Sequence, residues 1–395
     1  MATSKEMTAG PALPLILKFT LPLLLGNLLQ QTYSLVDAAI VGKFLGINAL
    51  ASVGASTSVV FLILGFCNGC CGGFGIPVAQ KFGARDYSTM RSYISVSLKL
   101  SVVMSVTIAI VTSILCADIL QMMRTPENIF EGAYAYLLVT FIGVPFTFFY
   151  NLLSSIIRAL GDSKTPFWFL LLSTVLNILL DLFCILVLGW GVAGAAIATL
   201  ASRVFCAVVV LWQLRMDRQP IVVRNYRQIR PDGKMIRRVL ALGIPSGIEN
   251  SMFQLGKLAI QSSVSTLGTV AIAAQAMTNI LENLNGIAAI GVGIGLMTVV
   301  GQCLGAGRKD EAVYYIKKLS VLAEIIVVAS CLLVFALTIP VTKLGGMEPE
   351  SARMCFHMIS WITVVKPIVW TLAFIPAYGL RAAGDVKFSM LTSCI

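Results

Sequence analysis

The chain has 395 residues, of which 57% are hydrophobic and only 12% are charged. Soluble domains carry about 25% charged residues, so one aqueous core could not bury this much apolar sequence, and the composition predicts a membrane protein. The formal net charge of +11 could suggest a nucleic-acid partner. However, Lys and Arg concentrate in connecting segments on one side of the predicted membrane, which favours anionic lipid head groups as partners and argues against nucleic acid.

Apolar stretches close to the roughly 20 residues that cross a bilayer as a helix recur along the whole chain. We predict ten complete spans and an eleventh that begins near Phe388. Because the stretches are continuously apolar, they exclude a barrel of alternating strands, and the predicted fold is an all-α integral membrane protein. In chain order, the predicted spans are 14–40, 47–78, 92–117, 133–157, 166–188, 191–214, 239–266, 270–300, 318–341 and 354–380.

A seven-residue motif occurs twice, as RALGDSK at 158–164 and as RAAGDVK at 381–387. Other residues pair at nearly the same separation, for example Pro22 with Pro245. Each copy begins on the cytoplasmic side after an even number of crossings. The sequence therefore predicts two parallel repeats, related by a pseudo-two-fold axis along the membrane normal.

The repeat predicts two six-helix bundles and twelve spans in the functional protein. We predict a first bundle at 1–214, a basic cytoplasmic linker at 215–238 and a second bundle at 239–395. Because Ile395 aligns with Leu172, the second copy holds about four and a half helices here, and we expect two further spans in the complete protein.

Both R-A-x-G-D-x-K motifs fall in predicted cytoplasmic turns, after spans four and ten. Glycine permits a tight turn there. We expect the charges of both motifs to lie in water and to form a local ion pair, without contact to a substrate.

Three polar residues lie at one predicted depth in the first bundle. Asp37 is nine residues before Gly46 at the outer end of span one, and Asp181 and Thr199 are nine residues from the outer ends of spans five and six. At 1.5 Å per residue, each is about 13 Å below the outer surface. Asn177 is one turn from Asp181 on the same helix face, so these four side chains are predicted to meet.

Such a cluster could be inert polar links between helices, or it could bind and release a cation. Removing a carboxylate from water favours its protonated form, so the cluster could hold a proton and release it when the site opens to water. The same oxygens could bind Na⁺ instead. The sequence predicts a cation-coupling site at Asp37, Asn177, Asp181 and Thr199 and leaves open whether the ion is H⁺ or Na⁺.

Other polar residues inside spans are candidates for the walls of a central substrate cleft. Glu249 and Lys257 are two turns apart on span seven, and Glu282 lies beside Asn283 in the middle of span eight. These residues could line the cleft or could link helices within a bundle, and both interpretations stay open. The candidate cleft residues are Gln31, Tyr33, Glu249, Gln254, Glu282 and Asn283.

Motifs of other protein classes do not occur in the sequence. There is no G-x-x-x-x-G-K-[ST] loop, so ATP is not predicted as the energy source, and neither H-E-x-x-H nor G-x-S-x-G occurs. We therefore predict no enzyme activity and no cofactor. The cysteine group CNGCC at 67–71 lies in an apolar span without a nearby histidine, so we interpret it as small packing residues and predict no structural metal site.

Three motifs in combination resemble a known family. They are YSLVDAAIVG at 33–42, the repeated R-A-x-G-D-x-K turn, and N-x-x-x-D at 177–181 followed by GVAGAAIAT at 191–199. Together they are similar to the multidrug and toxic compound extrusion (MATE) transporters, near the DinF-like branch, and the resemblance covers essentially the whole chain.

The resemblance implies a secondary multidrug antiporter. Such transporters export amphipathic, often cationic compounds in exchange for H⁺ or Na⁺ by alternating access. In the DinF-like branch the resemblance places the cation site on the four residues of the first bundle named above. Some other branches carry a carboxylate on span ten where this chain has Trp370, so a second-bundle Na⁺ site of that kind is not expected.

The alternative is a flippase for a lipid-linked saccharide or another lipid, since related families share the duplicated architecture. A flippase would be expected to line its cleft with several basic residues, and few lie inside the predicted spans. A membrane scaffold without transport activity would leave the aligned acids unexplained. We expect a monomer in the plasma (inner) membrane with a cytoplasmic N-terminus. Away from the span ends, the basic residues within predicted spans are Lys99, Arg203, Lys257 and Lys366.

Overall fold

The computed structural model describes residues 12–123, 125–216, 232–344 and 346–394, and these ranges are helical without any β-strand. Thirteen α-helices follow one another along the described chain. They are α1 (Ala12–Leu45), α2 (Ile47–Gly83), α3 (Tyr87–Ile114), α4 (Cys116–Met122), α5 (Glu127–Ile142), α6 (Val144–Ala159), α7 (Lys164–Leu182), α8 (Gly191–Met216), α9 (Gly233–Ser265), α10 (Thr269–Gly305), α11 (Lys309–Leu344), α12 (Pro349–Ala383) and α13 (Val386–Cys394).

Seven of the described helices are long and apolar enough to cross a membrane, and the bent pair of α5 and α6 is an eighth candidate. Two other long helices, α1 and α9, occupy the predicted first and seventh spans. The polar side chains of Glu249, Asn250 and Lys257 lower the hydropathy of α9. Each predicted span therefore corresponds to a helix or a bent pair, which confirms the all-α membrane fold.

The two halves repeat the same helix bounds. Helices α2 and α10 both have 37 residues, and both run from an N-cap glycine to a C-terminal glycine. In the repeated turn motif, Gly161 and Gly384 both adopt left-handed backbone angles, with φ of 82° and 100°. Only glycine takes this conformation without a steric cost, so one turn geometry accounts for the same residue in both copies. The predicted pair of parallel repeats is confirmed.

The halves differ at the fourth span. The first half breaks between α5 and α6 with a bend of 48°, whereas its counterpart α12 continues from Pro349 to Ala383. Pro145 stands at the start of α6 and has no N–H for a helical hydrogen bond, which favours a break at this point. A Cβ on Gly143 would lie 3.0 Å from the side chain of Leu200, so the bend also sits against α8.

The main hydrophobic cores of the two halves are largely separate, although Val239 of α9 belongs to the core of the first half. Phe74, Phe148 and Ile156 belong to the main core of the first half, and each is at most 1% exposed. Helix α1 departs from this division, because Ile16 and Phe19 pack in a core with residues of α10, α11 and α12. The N-terminal part of α1 is therefore attached to the second bundle, although the sequence assigns the whole helix to the first.

Helices α2 and α10 end on the same side of the molecule, which we call the inner end. The two bundles pack closely against each other at this inner end. Gln80 Nε2 donates to the carbonyl of Ala382 at 2.8 Å. The equivalent residue of the second half, Gln302, donates to the carbonyl of Ala159 at 3.0 Å. These two hydrogen bonds cross between bundles in opposite directions, so the pseudo-two-fold axis passes through a symmetric inner closure.

Glycines allow the backbones to approach at this closure. A Cβ on Gly83 would overlap the backbone of Gln302, and a Cβ on Gly305 would overlap the backbone of Gln80. The tightest glycine approaches between the bundles lie in the inner half of α2 and α10, whereas a Cβ on Gly54, near the opposite end of α2, would meet no atom within 4 Å.

The linker predicted at 215–238 is only partly covered by the structure. Residues 217–231 lie outside the described ranges. The last residues of the predicted linker form the first turns of α9, because the side chain of Asp232 accepts a hydrogen bond from the Lys234 N–H at 3.1 Å and caps the helix.

The structure corrects the interpretation of the repeated turns in part, because Lys164, Asp385 and Lys387 are exposed as expected but the other charged residues are not. Asp162 is 8% exposed, and its carboxylate accepts from the N–H groups of Lys164 and Thr165 at 2.9 and 3.1 Å and from the Thr165 hydroxyl at 2.6 Å. The aspartate therefore orders the start of α7 and forms no local ion pair with Arg158. The arginines of both motifs lie on the wall of a cavity inside the protein instead of on its outer surface.

Asp162→Ala is expected to lower the free energy of unfolding by about 1–2 kcal/mol, because the donors at the start of α7 lose their acceptor. The measurement is the apparent melting temperature of the purified protein in detergent. Asp162→Asn keeps one acceptor oxygen and is expected to retain most of the stability. An unchanged melting temperature for the alanine variant would show that water replaces the carboxylate.

Candidate functional site

Two carboxyl groups meet inside the first bundle. The side chains of Asp37 on α1 and Asp181 on α7 are close enough to interact directly. Asp181 is fully buried, and Asp37 is partly buried. Two carboxylates this close repel each other strongly when both are ionised, so the pair requires a shared proton or a bound cation.

Three further side chains surround the acidic pair. With its amide nitrogen towards the acids, Asn177 donates to Asp181 Oδ2 at 2.9 Å and to the Tyr33 hydroxyl at 3.2 Å, and its oxygen accepts from Thr199 Oγ1 at 3.1 Å. The hydroxyls of Tyr33 and Thr199 are 3.0 Å apart. The structure thus brings together the four residues of the predicted cation site and adds Tyr33, which the sequence placed in the substrate cleft.

One oxygen of each acid has no hydrogen-bond partner in the described protein. Oδ1 of Asp37 and Oδ1 of Asp181 are both buried and unpartnered. A buried polar oxygen without a partner costs free energy, which is tolerated where a ligand or proton completes the site. The oxygens of carboxylate, amide and hydroxyl groups are also what a hard cation such as Na⁺ prefers. The residues present therefore fit either coupling ion.

A π-helical turn follows the acid on α7. The helix passes from Leu182 into a π-helical segment at Phe183–Val187. Such turns are rare and frequently occur at functional sites, because they shift the helix face that the following residues present. Here the turn begins two residues after Asp181, so it affects how the end of α7 packs around the site.

A small cavity of about 60 Å³ lies beside this cluster. Tyr33, Asn177 and Thr199 line it. A larger cavity of about 480 Å³ lies between the bundles, and three residues, Gln30, Asn151 and Arg203, line both cavities. These shared polar side chains connect the acidic cluster with the central space, which we call the central cavity.

Side chains of both bundles form the central cavity. Of the six predicted cleft residues, Gln254 lines it, and Tyr33 lines only the small cavity. The other four, Gln31, Glu249, Glu282 and Asn283, are not among its lining residues, so the structure does not bear out their assignment to this cavity. The polar residues that line the central cavity are Asn27, Gln30, Asn68, Thr147, Asn151, Ser155, Arg158, Arg203, Ser246, Asn250, Gln254, Thr298 and Arg381.

The predicted acids of the second bundle are engaged with basic residues. Glu249 is 5% exposed and forms an ion pair with Arg381, while the Ser389 hydroxyl donates to the same carboxylate at 3.0 Å. Glu282 lies 3.6 Å from the buried ammonium of Lys366. Both acids therefore act as links between helices in this structure, which was the second of the two interpretations left open by the sequence.

Sequence reasoning missed the arginines of the central cavity. It identified Arg203 as a basic residue inside a span but not as a cavity residue, and it assigned Arg158 and Arg381 to turns in water. A signal was available, since each turn arginine directly follows a long apolar predicted span, where a long side chain can point back into the protein.

Comparison with known proteins agrees with this architecture. The MatE family profile matches residues 22–183 and 245–395. The probable multidrug resistance protein YoeA of Bacillus subtilis is 30% identical over 385 residues, which cover 95% of this chain and 82% of the relative. YpnP of the same organism, also a probable multidrug resistance protein, is 30% identical over 379 residues, covering 96% and 84%.

Solved structures show the same fold. An outward-facing multidrug resistance MATE family transporter of the MOP superfamily has a TM-score of 0.88 at 23% identity, and the match covers 98% of this chain and 86% of that chain. The profile match extends over both repeats and the relatives cover nearly the whole chain. The chain belongs to the multidrug and toxic compound extrusion (MATE) family of membrane transporters.

Proposed function

We propose that this protein is a secondary active antiporter that exports amphipathic organic compounds in exchange for H⁺ or Na⁺. The observation that carries the proposal is the acidic pair of Asp37 and Asp181, which has unpartnered oxygens and a polar connection to the central cavity. In the proposed cycle, cation binding and substrate binding alternate at neighbouring sites in one protein. The assignment to the DinF-like branch remains a prediction from the sequence motifs.

Helix α1 provides a physical link between the cation site and the closure of the bundles. Its Asp37 belongs to the acidic cluster of the first bundle, whereas its Ile16 and Phe19 pack in a core of the second bundle. Filling or emptying the cation site changes the charge next to α1, and a shift of this helix would alter contacts between the bundles. This arrangement supports alternating access, in which one packed interface opens while the other closes.

We place the inner closure on the cytoplasmic side, because the basic connecting segments predict a cytoplasmic N-terminus. The described conformation is then closed towards the cytoplasm, as expected for an outward-facing state. The basic segments would contact anionic lipids of the plasma membrane. We further propose that one chain is the functional unit, since each bundle contributes to the same central cavity.

Export from liposomes tests the proposed function. The complete protein is reconstituted with a panel of fluorescent amphipaths of either charge, and an inward H⁺ gradient or an inward Na⁺ gradient is imposed separately. We expect one of the two gradients to drive export of at least one compound, and we expect an ionophore that collapses that gradient to stop it. Transport of no panel member under either gradient would contradict the proposal.

A further inference from the structure

The charged side chains that face the central cavity all have the same sign. Arg158 at the end of α6, Arg203 on α8 and Arg381 at the end of α12 line it. The described residues that line this cavity include no Asp, Glu or Lys. A cationic substrate would therefore meet only positive charge on these walls, although the family resemblance implies substrates that are often cationic.

The three arginines differ in how their charge is balanced. Arg381 is paired with Glu249 and stacks on the ring of Tyr378, with 4.9 Å between the guanidinium carbon and the ring centroid. The two arginines of the first bundle are different, since no acid among the described residues forms an ion pair with Arg158, the equivalent of Arg381, or with Arg203. Two positive charges on the cavity wall are thus left without an acidic partner.

Arg158 and Arg203 line the same cavity, so both can face one ligand. They belong to α6 and α8, which pack against each other in the first bundle. An unpaired cation inside a membrane protein is costly and marks a ligand pathway by default. A guanidinium group offers a planar set of donors that matches carboxylate and phosphate oxygens.

We propose that the central cavity binds amphipathic compounds with an anionic head group, a carboxylate or a phosphate, through Arg203 and Arg158. This inference rests on the proposed function and names its substrate class. The cavity volume of about 480 Å³ is within the usual range for small-molecule sites. The apolar part of the ligand would contact the side chains of Phe61, Leu64, Ile290, Ile294 and Met297.

Binding of matched probes to the purified protein tests the charge preference without any ion gradient. The probes are dansylaminoundecanoate, dansylaminoundecyl phosphate and the trimethylammonium compound with the same chain. We expect at least one anionic probe to bind about tenfold or more tightly than the ammonium probe. The carboxylate and phosphate probes together show which head group is preferred.

Two variants localise the interaction. Arg203→Gln is expected to weaken binding of the preferred anionic probe about ten- to a hundredfold, as loss of a hydrogen bond to a charged group does. Arg158→Gln is expected to act in the same direction, and Arg203→Lys is expected to retain part of the affinity. Arg237→Gln, at an exposed position of α9 outside the cavity lining, is the charge-matched control and is expected to bind like the parent.

The inference is overturned if the ammonium probe binds as tightly as both anionic probes, or if both Arg→Gln variants keep the anion affinity of the parent. Binding of the ammonium probe to each variant shows that the variant is folded. A failure of the proposed function can be distinguished from a failure of this inference. If the protein binds anionic probes tightly but exports no compound under any gradient, the charge preference is supported and the antiport function is contradicted. If the protein exports only cationic compounds and shows no preference for the anionic probes in binding, the inference is contradicted and the antiport function is supported.

Discussion

Asp37→Asn and Asp181→Asn are each expected to reduce gradient-driven export to the level of protein-free liposomes while the protein remains folded. Asparagine has nearly the size of aspartate and keeps one acceptor oxygen. It cannot gain and lose a proton in this range, and it is a weaker ligand for Na⁺ because it carries no charge. The measurement is export of a transported fluorescent compound from liposomes under an imposed H⁺ or Na⁺ gradient.

Folding should survive because the acids are not optimised for stability. Each has a buried oxygen without a hydrogen-bond partner in the described protein, and the two carboxyl groups face each other. Neutralising one of them removes the repulsion in the pair and leaves the Asn177 amide with neighbouring hydroxyls of Tyr33 and Thr199. The apparent melting temperature of each variant is therefore expected to equal or exceed that of the parent.

Asp162→Asn is the matched control, since it makes the same chemical change in a turn outside the site. It is expected to export at the rate of the parent once differences in protein amount are corrected. If the parent works with an H⁺ gradient alone, protonation of the acidic pair is the switch. If it requires Na⁺, the same oxygens bind the metal ion. If both Asp37→Asn and Asp181→Asn export at the normal rate, the cluster is only a polar link between helices and does not couple export to the cation.

The acidic cluster could be predicted from the sequence because depth in a membrane helix follows from counting residues. Asp37, Asp181 and Thr199 have equal distances from the predicted outer ends of their spans, and Asn177 follows from helix periodicity. Tyr33 could not be assigned in the same way. It lies one turn before Asp37, but whether its hydroxyl points to the acids or to the central cavity depends on how α1 packs against α8, and hydropathy does not determine that.

The fold was predictable for a similar reason, since apolar length and internal repetition are both visible in one sequence. The break between α5 and α6 was not, because the apolar pattern continues across Gly143. The cavity arginines were hidden by their position in a turn motif. A residue at a helix end can extend into solvent or back into the protein, and only the arrangement of neighbouring helices distinguishes the two.

Substitutions at the inner closure are expected to have the other large effect on export. Gly83→Ala and Gly305→Ala each place a methyl group where the backbone of the opposite bundle lies. Inserting a methyl group into close packing costs about 1–3 kcal/mol, which corresponds to a shift of about 5- to 150-fold in the equilibrium between two conformations. The described conformation should therefore lose population, and export should fall about tenfold or more in the double variant because one half of the cycle is disfavoured.

Distances between spin labels at Ser88 and Asp310, at the inner starts of α3 and α11, measure the closure directly. We expect the double glycine variant to show a larger share of long distances than the parent. Gly54→Ala is the control on the same helix as Gly83, because its added methyl group would meet no atom within 4 Å and alanine favours a helix over glycine. If the double variant keeps both the distance distribution and the export rate of the parent, the close glycine contacts between Gly83, Gly305 and the opposite backbones are not required for transport. If the distances lengthen but export is unchanged, closure at the inner end is not the slow step, and the methyl groups only shift an equilibrium that the bound cation restores.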